Sequence, residues 1–211
     1  MKILSILGSP RKKGNTAAVL GWVDEALTEA GHQVEQIFLG SKNINGCLDC
    51  GKCKENMEHP GCVQKDDAPA IFDRMMAADA VIFASPLYYW GFSSQMKTLI
   101  DRCYCLYRGS CGALDHMSFI DGKRQALIVT AADAFENNAE LTITAFQRSL
   151  VYNKTTSAGQ FMVCNTTTPD ALSDGIKSQA TAFAGQMFTE TPAPYALLIP
   201  GNAPHLVPVD K

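Results

Sequence analysis

Four cysteines stand at positions 47, 50, 53 and 62 in CLDCGKCKENMEHPGC, so that a C-x2-C-x2-C-x8-C spacing takes half of the chain's eight cysteines into one short window. Thiols at such intervals are ligands for a metal centre or partners in redox chemistry. The residue types leave three chemistries open: an iron–sulfur cluster, a closed tetrahedral zinc site, and a metal-free loop of reactive or inert thiols.

A second chemically capable stretch is Gly8-Ser-Pro-Arg-Lys-Lys-Gly-Asn-Thr16. Ser9, Asn15 and Thr16 offer neutral side-chain donors, and Gly14 lets backbone approach a ligand closely. The N–H groups that open a following helix would point to the same spot with a favourable dipole, while Arg11, Lys12 and Lys13 can neutralise charge at the rim. The spacing is neither the triphosphate G-x-x-x-x-G-K-[ST] pattern nor the dinucleotide G-x-G-x-x-G pattern. A terminal monophosphate such as that of FMN therefore fits better than ATP or tightly held NAD. The competing reading is a glycine-rich turn that only reverses the chain.

A third stretch, Ser85-Pro-Leu-Tyr-Tyr-Trp-Gly91, places three adjacent aromatics where a flat ring system could lie, or where they would simply close the core. Thr130 and Ala131, in TAAD ending a later apolar run, offer small residues for the wall of the same pocket or for tight helix packing.

The elements that must position these residues alternate. Strands are expected at residues 2–7, 33–39, 80–86, 125–130 and 160–164, and helices at 17–31, 71–79, 93–106, 138–150 and 173–188. Asp66 or Asp67 is the expected cap of the second helix. Apolar strands alternating with helices call for an α/β fold: a flavodoxin-like three-layer sandwich with a five-stranded parallel sheet of order 2-1-3-4-5 and helices on both faces. Ligands of such sheets bind beyond the carboxyl ends of the strands, where all three chemical stretches fall.

The chain has 211 residues, 46% of them hydrophobic and 18% charged, enough for one core and hence one domain over residues 1–190, with the cysteine-rich loop at 45–65. Residues 191–211 carry five prolines and no periodicity, which predicts an extended arm, lying on a partner subunit or back on its own domain. A net charge of −3 with no basic block beyond Arg11–Lys13 gives no nucleic-acid footprint. The opening apolar run is too short for a signal-peptide core or a membrane span, so the expected location is the cytoplasm, with no membrane partner. In that reducing setting structural disulfides are not expected. Cys103, Cys105, Cys111 and Cys164 read as small hydrophobes or free thiols, and His59 as a surface-loop histidine.

The combination of GSPRKKGNT, SPLYYWG and the helix SSQMKTLIDR resembles the flavodoxin-like NADPH-dependent FMN reductase family, over about residues 1–190. Within that family the cysteine run is similar to the iron–sulfur flavoprotein branch, although its last gap of eight residues is longer. The resemblance implies that Ser9, Arg11, Asn15 and Thr16, with Lys13 and Gly14 beside them, hold the FMN phosphate. Pro86, Leu87, Tyr88, Tyr89, Trp90 and Gly91 would hold the isoalloxazine, with Thr130 and Ala131 completing the pocket. It implies that Cys47, Cys50, Cys53 and Cys62 hold a 4Fe–4S cluster, for which an irregular loop with a Pro60-Gly61 turn is suited, zinc being the alternative. Lys97, Asp101 and Arg102 fall in the family's helix pattern and are expected to make surface ion pairs.

The implied activity is an FMN-dependent NAD(P)H oxidoreductase in which NAD(P)H delivers hydride to flavin N5 and electrons pass to a small acceptor such as a flavin or quinone. Hydride transfer demands no side-chain acid or base, so no catalytic residue is named. Two alternatives stand beside it: an electron carrier between a ferredoxin-like donor and FMN, and a cofactor-free interaction domain. A homodimer or homotetramer is the implied assembly.

Overall fold

The computed structural model describes residues 1–55, 58–109 and 117–189, together with the backbone of 196–198 and 205–206. The chain begins with β1 (Lys2–Leu7), α1 (Asn15–Glu29) and β2 (Gln33–Phe38). After the cysteine loop come α2 (Ala68–Ala77), β3 (Ala80–Tyr88), a short return strand β4 (Gly91–Phe92) and α3 (Ser94–Arg102). A 3₁₀ turn, Cys103–Leu106, leads to the small ribbon of β5 (Tyr107–Arg108) and β6 (Met117–Ser118). Then follow β7 (Arg124–Thr130), α4 (Glu140–Tyr152), β8 (Thr156–Val163) and α5 (Asp174–Gln186), with β9 (Ala196–Leu198) and β10 (His205–Leu206) last.

The sheet runs β2-β1-β3-β7-β8 in parallel, which is the expected 2-1-3-4-5 order. Alternation along β1 divides its side chains between two cores. Ile3 and Leu7 pack with Val19, Val23 and Phe183 of α1 and α5 on one face. Leu4 and Ile6 pack with Phe72, Leu99 and Phe146 of α2, α3 and α4 on the other. Because both faces are covered, β3 and β7 are almost continuously buried, which is why their sequences read as unbroken apolar runs.

The sheet differs from the expectation at its edges. β9 pairs parallel to β8 and β10 antiparallel to β9, so part of the proline-rich tail extends the sheet of its own chain. The open edge of β8 offers a row of unpaired backbone groups, and Ala196–Leu198, the longest proline-free apolar piece nearby, supplies the partner. The α2 start is capped by the expected pair of aspartates. Asp67 occupies the cap position, but its carboxylate accepts from Asn43 N at 2.7 Å, and it is Asp66 Oδ1 that takes Ala68 N at 3.1 Å.

Candidate functional site

At the carboxyl end of β1 the chain enters its first loop through Gly8, where a Cβ would stand 2.7 Å from Met96 Cβ, so only glycine lets the loop lie against α3. Gly8 N donates to Ala84 O at 2.7 Å and its carbonyl accepts from Ser93 Oγ, which binds the loop to both β3 and the start of α3. Ser9 is buried and its Oγ accepts from Arg11 N at 3.1 Å. Arg11, Lys12 and Lys13 are exposed at the rim.

Gly14 is the N-cap residue of α1, and no side chain caps that helix start, nor does an acidic residue stand in its first turn. Its opening N–H groups are thus left for an outside acceptor, and the helix dipole makes an anion the favoured one. Asn15 and Thr16 are buried but turned to neighbouring loops: Asn15 Nδ2 donates to Thr166 O at 3.0 Å, and Thr16 Oγ1 lies 2.7 Å from Thr130 Oγ1. Asn15 Oδ1 is buried with no partner.

Beside this loop, β3 and β4 form a hairpin in which Leu87 pairs with Phe92 and Tyr88 with Gly91. The two residues between, Tyr89 and Trp90, have φ of 51° and 60°. Positive φ at both central positions is the demand of a type I′ turn, usually met by Asn-Gly, and bulky side chains adopt it only under strain. Tyr88, Tyr89 and Trp90 are 45%, 95% and 52% exposed, so these aromatics do not close the core. Thr142 Oγ1 donates to Trp90 O at 3.1 Å and braces the turn from α4. Across from it lies the loop after β7, and together they wall a cleft of about 430 Å³ lined by Leu87, Tyr89, Trp90, Ala131, Asp133 and Asn138 among others.

The four clustered cysteines are free thiols that line one hollow, Cys47 and Cys50 exposed, Cys53 and Cys62 partly covered. Burial pushes the Cys53 thiol up, while the Lys54 ammonium pulls the other way. Among the described residues no three of His, Cys, Asp and Glu converge as a metal site. The thiols nevertheless form a donor set of the kind that soft metal centres take.

The loop is closed at its neck by Asp66, which accepts from Asn45 N at 2.9 Å, and by Gln64 Nε2, which donates to Gly46 O at 2.9 Å. Lys54 Nζ sits 3.2 Å from the centre of the Tyr107 ring and donates to Tyr107 O at 2.7 Å, pinning the middle of the loop.

One expectation needs correction here. Lys97 and Asp101 do form an exposed i,i+4 pair, but Arg102 is buried: its side chain and that of Asp66 are each 1% exposed, and Nη1 lies 2.7 Å from Asp66 Oδ2. The guanidinium is buried because α3 ends where the cysteine loop rejoins α2. Cys105 is a buried free thiol of the core, as expected, and lines the same hollow as the four loop cysteines. Cys103 and Cys164 are buried, their thiols pushed up by that burial to about 12 and about 11, and His59 is exposed. Cys111 lies outside the described residues. Sequence reasoning also missed Asn165 and Thr166, which bind Asp133 O and Ala131 O through their backbone N–H groups at 3.1 Å each and so brace the cleft wall. A left-handed φ of 56° at Asn165 is the one local sign, and it is invisible in a polar loop sequence.

A doubly wound parallel sheet with a helix start and an aromatic turn at one edge defines a flavodoxin-like α/β protein. The chain belongs to the NADPH-dependent FMN reductase family, whose model matches residues 1–164. An iron-sulfur flavoprotein of Archaeoglobus fulgidus is 45% identical over 102 residues, 48% of this chain and 45% of that protein. One from Methanosarcina thermophila is 36% identical over 108 residues, 51% of this chain and 55% of that protein. The chain thus spans about half the length of the curated relatives it matches. Among solved structures, the NAD(P)H:quinone oxidoreductase of Methanothermobacter marburgensis superposes with a TM-score of 0.64 at 19% identity, covering 87% of this chain and 95% of that one. An FMN-dependent NADH-azoreductase of Bacillus anthracis, in complex with FMN, gives 0.60 at 13% identity, covering 90% and 100%. At these identities the structures establish the shared fold. No described helix is long and apolar enough to cross a membrane.

Proposed function

We propose that the chain is an FMN-dependent NAD(P)H oxidoreductase passing electrons through bound flavin to a small acceptor such as a free flavin or a quinone. The observation that carries this reading is the uncapped start of α1 beside a cleft walled by exposed aromatics. Family membership supports FMN as the occupant. When bound, FMN supplies the hydride-accepting N5 and the store of electrons.

The chain's own part is binding and orientation. The N–H groups after Gly14, with Ser9 and the rim cations Arg11 and Lys13, hold the phosphate. Asn15 Oδ1, buried and unpartnered, is an acceptor suited to a ribityl hydroxyl. Pro86 to Gly91 and the small residues Thr130 and Ala131 bound the ring slot and keep water from one face. No side chain is assigned a proton-transfer role.

We infer further that Cys47, Cys50, Cys53 and Cys62 hold an iron–sulfur cluster of the 4Fe–4S type in preference to zinc. The all-thiol donor set and the relatives' description as iron-sulfur flavoproteins support this. They also favour a second reading of the same site, an electron carrier between a ferredoxin-like donor and FMN. The expected setting is the cytoplasm, and the expected assembly a homodimer or homotetramer.

The test is anaerobic purification followed by flavin titration, iron and sulfide analysis, and NAD(P)H consumption with added quinone. FMN binding with rapid NAD(P)H turnover is expected. FMN binding without turnover, but with reduction by a low-potential ferredoxin, would move the assignment to the carrier, and absence of FMN affinity would overturn both.

A further inference from the structure

Arg102 does more than close an ion pair. It is a full cation whose side chain is 1% exposed, at the C-terminal end of α3, and its side-chain hydrogen bonds among the described residues go to the cysteine loop or its exit. Nη1 donates to Asn45 O at 2.8 Å on the entering strand of the loop, and to Asp66 Oδ2 at 2.7 Å on the leaving one. Nη2 donates to Asp66 Oδ1 at 3.1 Å, completing a bidentate fork. One guanidinium therefore bridges both ends of the segment that carries all four cysteines.

Two N–H groups remain, one on Nη2 and that of Nε, and Nε is buried without a hydrogen-bond partner among the described residues. Arg102 lines the hollow of the four thiols, where a negatively charged Cys62 sulfur would favour its guanidinium. A buried N–H of a cation is costly to leave unpaired, and the hollow that Arg102 lines offers cysteine sulfur as an acceptor. Asp66 balances one charge, while four thiolates around iron would bring several more, so a fixed cation at this spot answers a need that the thiol form does not have.

Resting on the cluster reading above, we propose that Arg102 is the positioning residue of the metal centre. Its two Nη groups hold the neck of the loop shut, and its Nε donates to the sulfur of Cys62, which fixes the fourth ligand across the long eight-residue gap and offsets cluster charge. The same helix begins at Ser93, which binds the first loop through Gly8 O, so α3 fixes the cysteine loop and the flavin loop to one rigid element. Donation to a ligand sulfur raises a cluster's reduction potential, because it favours the more negative reduced form.

The test uses the full chain reconstituted anaerobically with ferrous iron and sulfide, comparing wild type with Arg102→Lys, Arg102→Gln and the pair Asp66→Asn with Arg102→Gln. The readouts are iron and sulfide per chain, cluster midpoint potential by dye-mediated titration, and FMN affinity. Arg102→Gln is expected to load several-fold less iron and to shift the potential of what loads downward. Arg102→Lys should recover most of the potential, since it keeps the charge, but less of the loading, since it lacks the fork. The paired variant removes both buried charges and so keeps the fold while retaining both defects, with FMN affinity as in wild type. If the paired variant loads iron fully at the wild-type potential, Arg102 merely neutralises Asp66 and the proposal falls. If wild type itself takes up no iron, the cluster reading fails and carries this one with it.

Discussion

Thr16 Oγ1 and Thr130 Oγ1 lie 2.7 Å apart, joining the first turn of α1 to the end of β7 across 114 residues of sequence. The pair is buried, so each hydroxyl satisfies the other where water does not reach. It also sets the spacing between the helix start proposed to hold the phosphate and the strand end proposed to bound the ring. Thr16→Val and Thr130→Val should each weaken FMN binding by about five-fold, corresponding to ~1 kcal/mol for one hydrogen bond and the polar atom it leaves unpaired. The double variant should cost less than the sum of the two, because both remove one interaction. Flavin fluorescence titration of the three variants measures the coupling, and strictly additive losses would show that the two threonines act separately.

The Tyr89-Trp90 turn sets stability against binding. Both residues hold the left-handed backbone that Asn-Gly adopts at little cost, while bulky side chains there cost on the order of 1 kcal/mol each or more. Replacing the pair by Asn-Gly should therefore raise the melting temperature of the flavin-free protein. It should at the same time weaken FMN binding at least ten-fold, because the exposed rings that wall the cleft are gone. Calorimetry and flavin titration on one preparation check both halves; a variant that melts lower would mean that the rings stabilise the turn more than the backbone strains it.

Acid stability follows from Asp66. Burial alone raises its carboxyl, but the Arg102 fork and the backbone N–H groups of Asn45 and Ala68 reverse that and hold it at about 2, below the ordinary 3.8. A folded-state value below the unfolded one means stability that is present above pH 3.8 and lost as pH falls toward 2. The contribution is on the order of 2 kcal/mol at neutral pH. Urea unfolding of wild type should therefore weaken from about pH 4 downward, and Asp66→Asn should remove most of that slope while lowering stability at pH 7. An unchanged slope would place the acid sensitivity at another carboxylate.

How much of this was legible in the sequence depends on the range over which each feature is decided. The strands β3 and β7 were readable because burial on both faces writes a nearly unbroken apolar run, and GSPRKKGNT was readable as a loop because Gly8 and Gly14 bracket it. Arg102 was not. Its helix pattern makes it one more charge at a polar end, and only the packing of α3 against a segment 36 residues earlier buries it. The same holds for Thr166, 151 residues from the Asn15 amide that it receives, and for Ala196–Leu198, whose strand exists only because β8 leaves an edge open.

The two sites stand on different loops, which makes them separable by mutation. Cys50 is exposed in the hollow after β2, whereas the groups proposed to hold the flavin come from the loops after β1, β3 and β7. Cys50→Ser should therefore take iron and sulfide to near zero after anaerobic reconstitution and leave FMN affinity within about two-fold of wild type, since one missing thiolate opens the cluster but touches no flavin contact. The visible spectrum reports both at once. Two resolved flavin bands should remain, and the broad, dithionite-bleached absorption beneath them should vanish. Zinc in place of iron would leave wild type without that absorption at all. Loss of the flavin bands in Cys50→Ser would instead mean that the cysteine loop supports the flavin cleft through α3, whose two ends, Ser93 and Arg102, touch both.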